Sequence, residues 1–305
     1  MVEITAGLVK ELREKSGAGM MDCKNALTEN SGDIDQSIDW LRAKGITKAA
    51  KKSGRIASEG LVGSLVDDKR ATIIELNSET DFVARNEDFQ NLLTGLLGIS
   101  INSEVILNLP YHDTGRTVEE EINEKISTIG ENIRLRRIQN VSVNEGVIFS
   151  YTHNSVANSL GKIGVLLAIE TSLTEDQISE FGKSLCMHIA ASNPIALTSD
   201  QISQEVIEKE KQIAIEQAKE ANKPDNIIEK MVEGRIRKFT EENALLSQIF
   251  VIDNETKISQ LLDIKSKEMN SSIKVTDFVR MELGEGIEKK DEDFASEVAA
   301  AVNKK

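Results

Sequence analysis

A chain of 305 residues is long enough for about two domains of ordinary size, each with its own core. Its 51 acidic and 37 basic side chains give a net charge of −14, a field that repels nucleic-acid backbones and anionic bilayers and so excludes a chain-wide phosphate-backbone partner. Two widely separated cysteines, Cys23 and Cys186, exclude a disulfide framework or a cysteine-rich zinc site and point to a reduced, intracellular setting.

The charge is uneven. Residues 1–55 hold 10 basic and 8 acidic side chains, a net +2, which leaves −16 on the remainder. The opening residues scatter acids among apolar positions and lack a secretory pattern, and the longest apolar run, residues 163–169, is too short for a bilayer, so a soluble cytoplasmic protein is expected. Three prolines and few aromatic residues argue against a sandwich of many short strands.

The first 45 residues read as three short helices. Thr5 caps one with Leu8, Val9 and Leu12 on its apolar face, stopped by Gly17. A second follows Gly19 with Met21, Ala26 and Leu27 inward. Asp33 caps a third, where Ile34, Ile38 and Leu41 recur at helical spacing and Gly45 marks the end. Arg42, Lys44, Lys48, Lys51, Lys52 and Arg55 have no acid between them and read as a basic linker or an exposed helix end.

From residue 59 the period changes to that of strands: residues 59–65, a turn at Asp67, Asp68 and Lys69, then residues 71–76, a hairpin. Residues 86–97 read as a helix with Phe89, Leu92, Leu93 and Leu96 inward, residues 118–129 as another, and residues 133–141 as a strand. A shift of 86 residues brings the plan back, since Glu145, Gly146 and Ser150 align with Glu59, Gly60 and Ser64. The second copy continues with a strand at 163–170 and a helix at 174–191, which predicts a duplicated α+β core.

Residues 199–243 interrupt the second copy. Ile202, Val206, Ile213 and Ala214 are expected on one face of a charged helix, residues 222–226 break it, and Ile228, Val232, Ile236 and Phe239 line a return helix. Residues 250–252 and 275–283 read as strands completing the second sheet, and residues 291–302 as a terminal helix showing Phe294, Val298 and Ala301.

Little in the sequence suggests catalysis. Gly182, Lys183 and Ser184 imitate the end of a phosphate loop, but position 177 is Gln177 where the loop needs glycine, and the segment lies inside a helical pattern. His112, His153 and His188 have no neighbours at metal-ligand spacing, and His188 reads as a helix residue packed at a subdomain face. No nucleophile signature and no glycine-rich dinucleotide loop is present, so no catalytic, cofactor-binding or metal residues are assigned. The segment that asks for an explanation is 75–86, where an apolar strand runs into a polar loop and Phe82 directly follows Asp81. If Thr80 or Asp81 caps a helix starting near Val83, Asp81 and Phe82 sit on a strand-to-helix tip as a probe; otherwise Phe82 is a staple on its own helix.

Residues 75–85 (Glu-Leu-Asn-Ser-Glu-Thr-Asp-Phe-Val-Ala-Arg) resemble a diagnostic motif of the bacterial elongation factor Ts family. Residues 12–27 resemble a second, with Ser16 where threonine is usual, and further likenesses lie at 129–133, 187–191, 230–235 and 284–289. The resemblance implies guanine nucleotide exchange on the GTPase elongation factor Tu: binding its GDP form, displacing Mg2+ and promoting GDP release so that GTP can enter. It implies an α+β architecture with a three-helix UBA-like domain and basic linker at 1–55, core subdomains at 56–143 and at 144–198 with 244–287, an inserted antiparallel coiled-coil hairpin at 199–243 that can mediate dimerisation, and a C-terminal helical module at 288–305. It further implies that Thr80, Asp81, Phe82 and Val83 reach the Mg2+ site of the GTPase with Phe82 as a wedge, and that Arg13, Met20, Met21, Ile129, Gly130 and His153 dock on it. The loop at 152–162 is longer than the family's usual one. No cofactor, nucleic acid or membrane partner is implied. The competing expectation is a UBA-like, coiled-coil adaptor or scaffold that does not stimulate exchange.

Overall fold

The computed structural model describes residues 4–16, 18–221 and 224–288. Three helices come first: α1 (Ala6–Ser16), α2 (Met20–Glu29) and α3 (Ile34–Lys52). The Leu8 N–H donates to the Thr5 hydroxyl at 3.3 Å, and Asp33 accepts from the Gln36 N–H at 2.9 Å, so both expected caps form. Val9, Leu12, Cys23, Ala26 and Leu27 make their shared core.

Two expectations fail here. Met21 faces out rather than in, because Cys23, two positions on, takes the inward slot between Ala26 and α1. Gly45 does not end α3, which continues through the basic segment to Lys52, so the expected linker is helix for most of its length. A Cβ at Gly45 would lie 3.2 Å from Ser127 Oγ, and the missing side chain lets α3 lie against a helix of the core.

That core opens with β1 (Glu59–Asp67) and β2 (Arg70–Ser78), a hairpin turning at Asp68, followed by the short α4 (Asp81–Ala84), α5 (Glu87–Ser100), α6 (Val118–Ile129) and β3 (Arg134–Ser142). Next come β4 (Gly146–His153), the two-residue β5 (Leu160–Gly161), β6 (Ile163–Thr171) and α7 (Glu175–Ser192). A hairpin of α8 (Gln204–Glu220) and α9 (Asp225–Asn243) leads to α10 (Ile258–Glu268) and β7 (Ile273–Glu282).

One antiparallel sheet has the order β3-β2-β1-β5 and the other β4-β6-β7. They stack through Val62, Ile73, Val141, Ile148, Leu166, Ala168 and Met281, while their outer faces carry α5 and α6 on one side and α7 and α10 on the other. β1, β2 and β6 are therefore buried on both faces over most of their length, which is why they read as continuous apolar runs.

The sheets share local detail. Gly60 and Gly146 sit at the same strand position with φ of 123° and 144°, and a Cβ on either would come within 2.2 Å of Leu76 O or 1.9 Å of Ile169 O. With Gly60 opposite Asn77 and Gly146 opposite Glu170, the ladder irregularities at Glu75/Leu76 and Ala168/Ile169 fall in equivalent places.

In the inserted hairpin the seam is Ala214 and Ala218 against Ile228 and Val232. This corrects the expected face: Ile202 precedes α8 and packs with Ala196 and Ala244 at the hairpin base, while Val206 and Ile213 are exposed. Small alanines face the seam and leave the bulkier residues outside. Residues 250–252 form no strand. Phe250 closes a turn through its N–H to Thr256 O at 2.8 Å, the chain then enters α10, and β7 alone completes the sheet. The terminal helix expected at 291–302 lies outside the described residues.

Candidate functional site

The apolar strand β2 ends at Ser78, whose hydroxyl donates to Thr80 O at 2.9 Å and bends the chain off the sheet. Thr80 is extended and stands at the N-cap of α4, without a side-chain cap bond. Within this single turn Val83 and Ala84 are buried in the same core as Leu61 and Phe89. A turn with two consecutive residues inward must carry the preceding two outward, so Asp81 and Phe82 face solvent, Phe82 with 77% of its surface exposed. The phenylalanine is not a staple on its own helix. Beyond the tip, Asn86 caps α5 through the N–H of Asp88 (2.8 Å), and Gln90 Nε2 donates to Ala84 O at 2.9 Å.

A second loop holds the tip from the side. α6 ends at Gly130, whose φ of 92° supplies the left-handed helix stop, and the next residue, Glu131, reaches back across 51 positions of sequence. Its carboxylate accepts from Thr80 N–H at 2.9 Å and from the Thr80 hydroxyl at 2.6 Å. In the opposite direction Glu79 accepts from Asn132 N–H at 2.6 Å. Arg55, just past α3, lies 3.4 Å from Glu79, and its carbonyl accepts from Asn132 Nδ2 at 2.8 Å.

Below the tip on β2, Glu75 is fully buried. It accepts from Gly284 N–H (2.8 Å), Asn77 Nδ2 (3.0 Å), Arg136 Nη1 (2.9 Å) and Arg137 Nε (2.6 Å). Burial pushes its carboxyl up, but the bonds from Gly284, Asn77 and the two arginines outweigh that and hold it below the ordinary glutamate range. This cluster fastens the loop after β7 to β2, the strand that carries the tip.

The other expected site residues are dispersed. Ile129 and Gly130 adjoin the tip through Glu131, Ile129 half-buried and Gly130 exposed. Arg13, Met20 and Met21 lie exposed on α1 and α2, apart from the tip. His153, at the end of β4, bonds the Tyr151 hydroxyl at 3.0 Å through Nδ1, and its carbonyl accepts from Lys162 N–H at 3.2 Å. Lys162 in turn pairs at 3.2 Å with Glu59, which stands opposite Ser78, so His153 shares the molecular edge of the tip without touching it. Among the described residues no group of three His, Cys, Asp or Glu could hold a metal, and no helix is long and apolar enough to cross a membrane. What this edge offers is an exposed aromatic ring beside an acid, on a tip held by hydrogen bonds from a neighbouring loop.

Sequence reading assigned no role to Glu79, Glu131, Asn132 or Arg55. Their contacts span tens of residues and leave no periodic trace, and the local hints are the glycine before Glu131 and the family likeness of the segments 75–85 and 129–133.

Comparison with known proteins follows the same segments. The family described as Elongation factor TS matches residues 79–285. The chain is 50% identical over 304 residues to Elongation factor Ts of Allorhizobium ampelinum, covering 98% of this chain and 99% of that one. It is 51% identical over 304 residues to that of Bartonella henselae, with the same coverage, and 49% identical over 306 residues to that of Sphingopyxis alaskensis, covering 99% of both.

Proposed function

This chain belongs to the elongation factor Ts family, and from that premise we propose that the tip at Thr80, Asp81, Phe82 and Val83 is the element that drives its exchange reaction. The family's function is guanine nucleotide exchange on elongation factor Tu during translation elongation, and it is the function of this chain. The observation that carries the tip assignment is the exposure of Phe82, 77%, on a turn whose neighbours Val83 and Ala84 are buried.

GDP and Mg2+ hold each other in a GTPase, the metal bridging phosphate oxygens, so displacing the metal removes a large part of the electrostatic hold on the nucleotide. Asp81 and Phe82 enter beside that metal, Phe82 wedging between side chains of the GTPase. The factor makes no bond. It binds the nucleotide-free GTPase more tightly than the loaded one, and linkage requires nucleotide to weaken the factor by the same ratio. A ten-thousandfold acceleration corresponds to about 5.5 kcal/mol, and one buried phenylalanine supplies about 1.5–3 kcal/mol. Arg13, Met20 and Met21 on the three-helix domain supply docking affinity, and contacts by Ile129, Gly130 and His153 on the core contribute the remainder of the differential stabilisation.

The chain divides, on this reading, into a UBA-like domain at 1–55, two related core subdomains, the hairpin at 199–243 and a terminal module from 288. Supporting it are the separate core of the first three helices and the matching glycines and ladder irregularities of the two sheets. The exposed Val206, Ile213, Ile227 and Met231 suit the hairpin to a homodimer contact. The acidic net charge fits a cytoplasmic protein without nucleic-acid or membrane partners.

The test is stopped-flow release of a fluorescent GDP analogue from elongation factor Tu. Phe82→Ala removes an exposed ring, so folding is unchanged, and at saturating factor the release slows by about ten- to a hundredfold, the worth of one buried phenylalanine. Release at the wild-type rate by the folded variant refutes the wedge.

A further inference from the structure

We infer that Glu131 is a positioning residue for exchange: together with Glu79 it clamps the tip and sets the direction in which Phe82 points. The inference rests on the tip reading above and adds to it the residue that makes the tip rigid.

A four-residue helix cannot hold its own shape. It has too few internal hydrogen bonds to offset the backbone entropy of ordering them. Thr80, the residue that sets the direction of α4, makes no cap bond to it. Both its backbone N–H and its hydroxyl are instead taken up by one carboxylate, Glu131, at 2.9 and 2.6 Å. Two donors of one residue held by two oxygens of another fix orientation as well as distance. Glu79 supplies the reciprocal bond to Asn132 N–H at 2.6 Å, so each loop grips the backbone beside the other's glutamate.

The arrangement also gives Gly130 a reason. A Cβ there would meet nothing nearer than Lys52 Nζ at 3.9 Å, so space does not demand glycine. The φ of 92° does, and this left-handed residue is what turns the chain so that Glu131 faces Thr80. The contribution of positions 129 and 130 to exchange is thereby indirect, through Glu131, in addition to any surface they offer. A wedge that enters a metal site must arrive along one direction, and a tip that swivels lowers the fraction of bound complexes in the productive pose.

The experiment measures both the maximal rate of analogue release and the half-saturating factor concentration for the full-length chain, with unfolding midpoints in parallel. Glu131→Ala is expected to lower the maximal rate about tenfold, the loss of roughly one charge-assisted hydrogen bond, while the half-saturating concentration stays within about twofold because the docking surfaces are untouched. Glu131→Gln keeps one acceptor and falls between. The double variant Glu131→Ala/Phe82→Ala is no slower than Phe82→Ala alone, since a clamp has nothing to position once the ring is gone. If Glu131→Ala does not fold, Glu131→Gln and Thr80→Val carry the test, the latter deleting only the hydroxyl donor. Wild-type maximal rates in folded position-131 variants while Phe82→Ala is slow overturn the clamp and leave the tip reading standing. Additive losses in the double variant also overturn it. Wild-type rates in Phe82→Ala itself sink the tip reading.

Discussion

Glu75 shows what a single residue does for this edge of the molecule. It is a fully buried carboxylate whose charge is stabilised by four donors, and Arg136 and Arg137 remain partly in water. Removing the negative charge takes from both guanidiniums their buried counter-ion, leaving Arg136 with the Glu285 carbonyl and Arg137 with the Glu282 carbonyl and the Glu285 carboxylate. Glu75→Gln is expected to destabilise the chain by about 3 kcal/mol, the low end for a broken buried pair, read from urea unfolding. Because the folded carboxyl titrates below the unfolded one, its contribution is complete above the ordinary glutamate value and is lost as pH falls through the lower, folded one. The wild-type chain therefore loses stability in that acidic window and the Gln variant loses less. At this scale legibility was partial. Phe82 stands out because it follows an acid where a strand runs out, whereas three of the four donors to Glu75 lie 61, 62 and 209 positions away and no local pattern announces them.

His188 joins residue scale to element scale. Buried on α7, it bonds Gln248 through Nε2 at 2.9 Å and accepts from Val251 N–H through Nδ1 at 3.3 Å, while Gln248 donates to Glu242 O at the end of α9. Burial outweighs the Gln248 bond and lowers its pKa, so this joint contributes stability above the ordinary histidine range and loses it as pH falls through the lower, folded value. Protonation also removes the acceptor for Val251. Protection against hydrogen exchange at the base of the hairpin, taken relative to the unfolded-chain rate at each pH, is expected to fall on mild acidification, before the Glu75 window is reached, and to stay constant if the joint is unimportant. The likeness of β1 to β4 is legible because the glycine takes the same strand position in both. Gly60→Ala and Gly146→Ala should each cost about 2–4 kcal/mol, as positive φ and a backbone clash combine at both. Thermal unfolding that spared one of the two would break the equivalence. Gly45 misled because a helix-interior glycine that permits close packing looks the same in sequence as one that ends a helix. The apolar residues 250–252 misled because a turn leading into α10 is as hydrophobic as a short strand.

For the molecule as a whole, the uneven charge of the sequence acquires a geometry. The first three helices, in the segment 1–55 of net charge +2, do not hang free: Arg42 pairs with Glu120 on α6, and Ala49 is buried with Ile122 and Ile126. Cutting it away would therefore open the core, and docking is better tested by surface changes. Replacing Arg13, Met20 and Met21 together by alanine is expected to raise the half-saturating factor concentration by tenfold or more with the maximal release rate retained, as loss of uniform binding requires. An unchanged concentration would remove the domain from the interface. The central claim is that Phe82 contributes differential affinity and not mere docking. The measurement that reaches it is calorimetric titration of wild-type and Phe82→Ala chains into nucleotide-free and into GDP-loaded elongation factor Tu. The account predicts that the wild-type preference for the nucleotide-free form shrinks by about ten- to a hundredfold in the variant. An equal loss of affinity for both forms, leaving the preference intact, would contradict it.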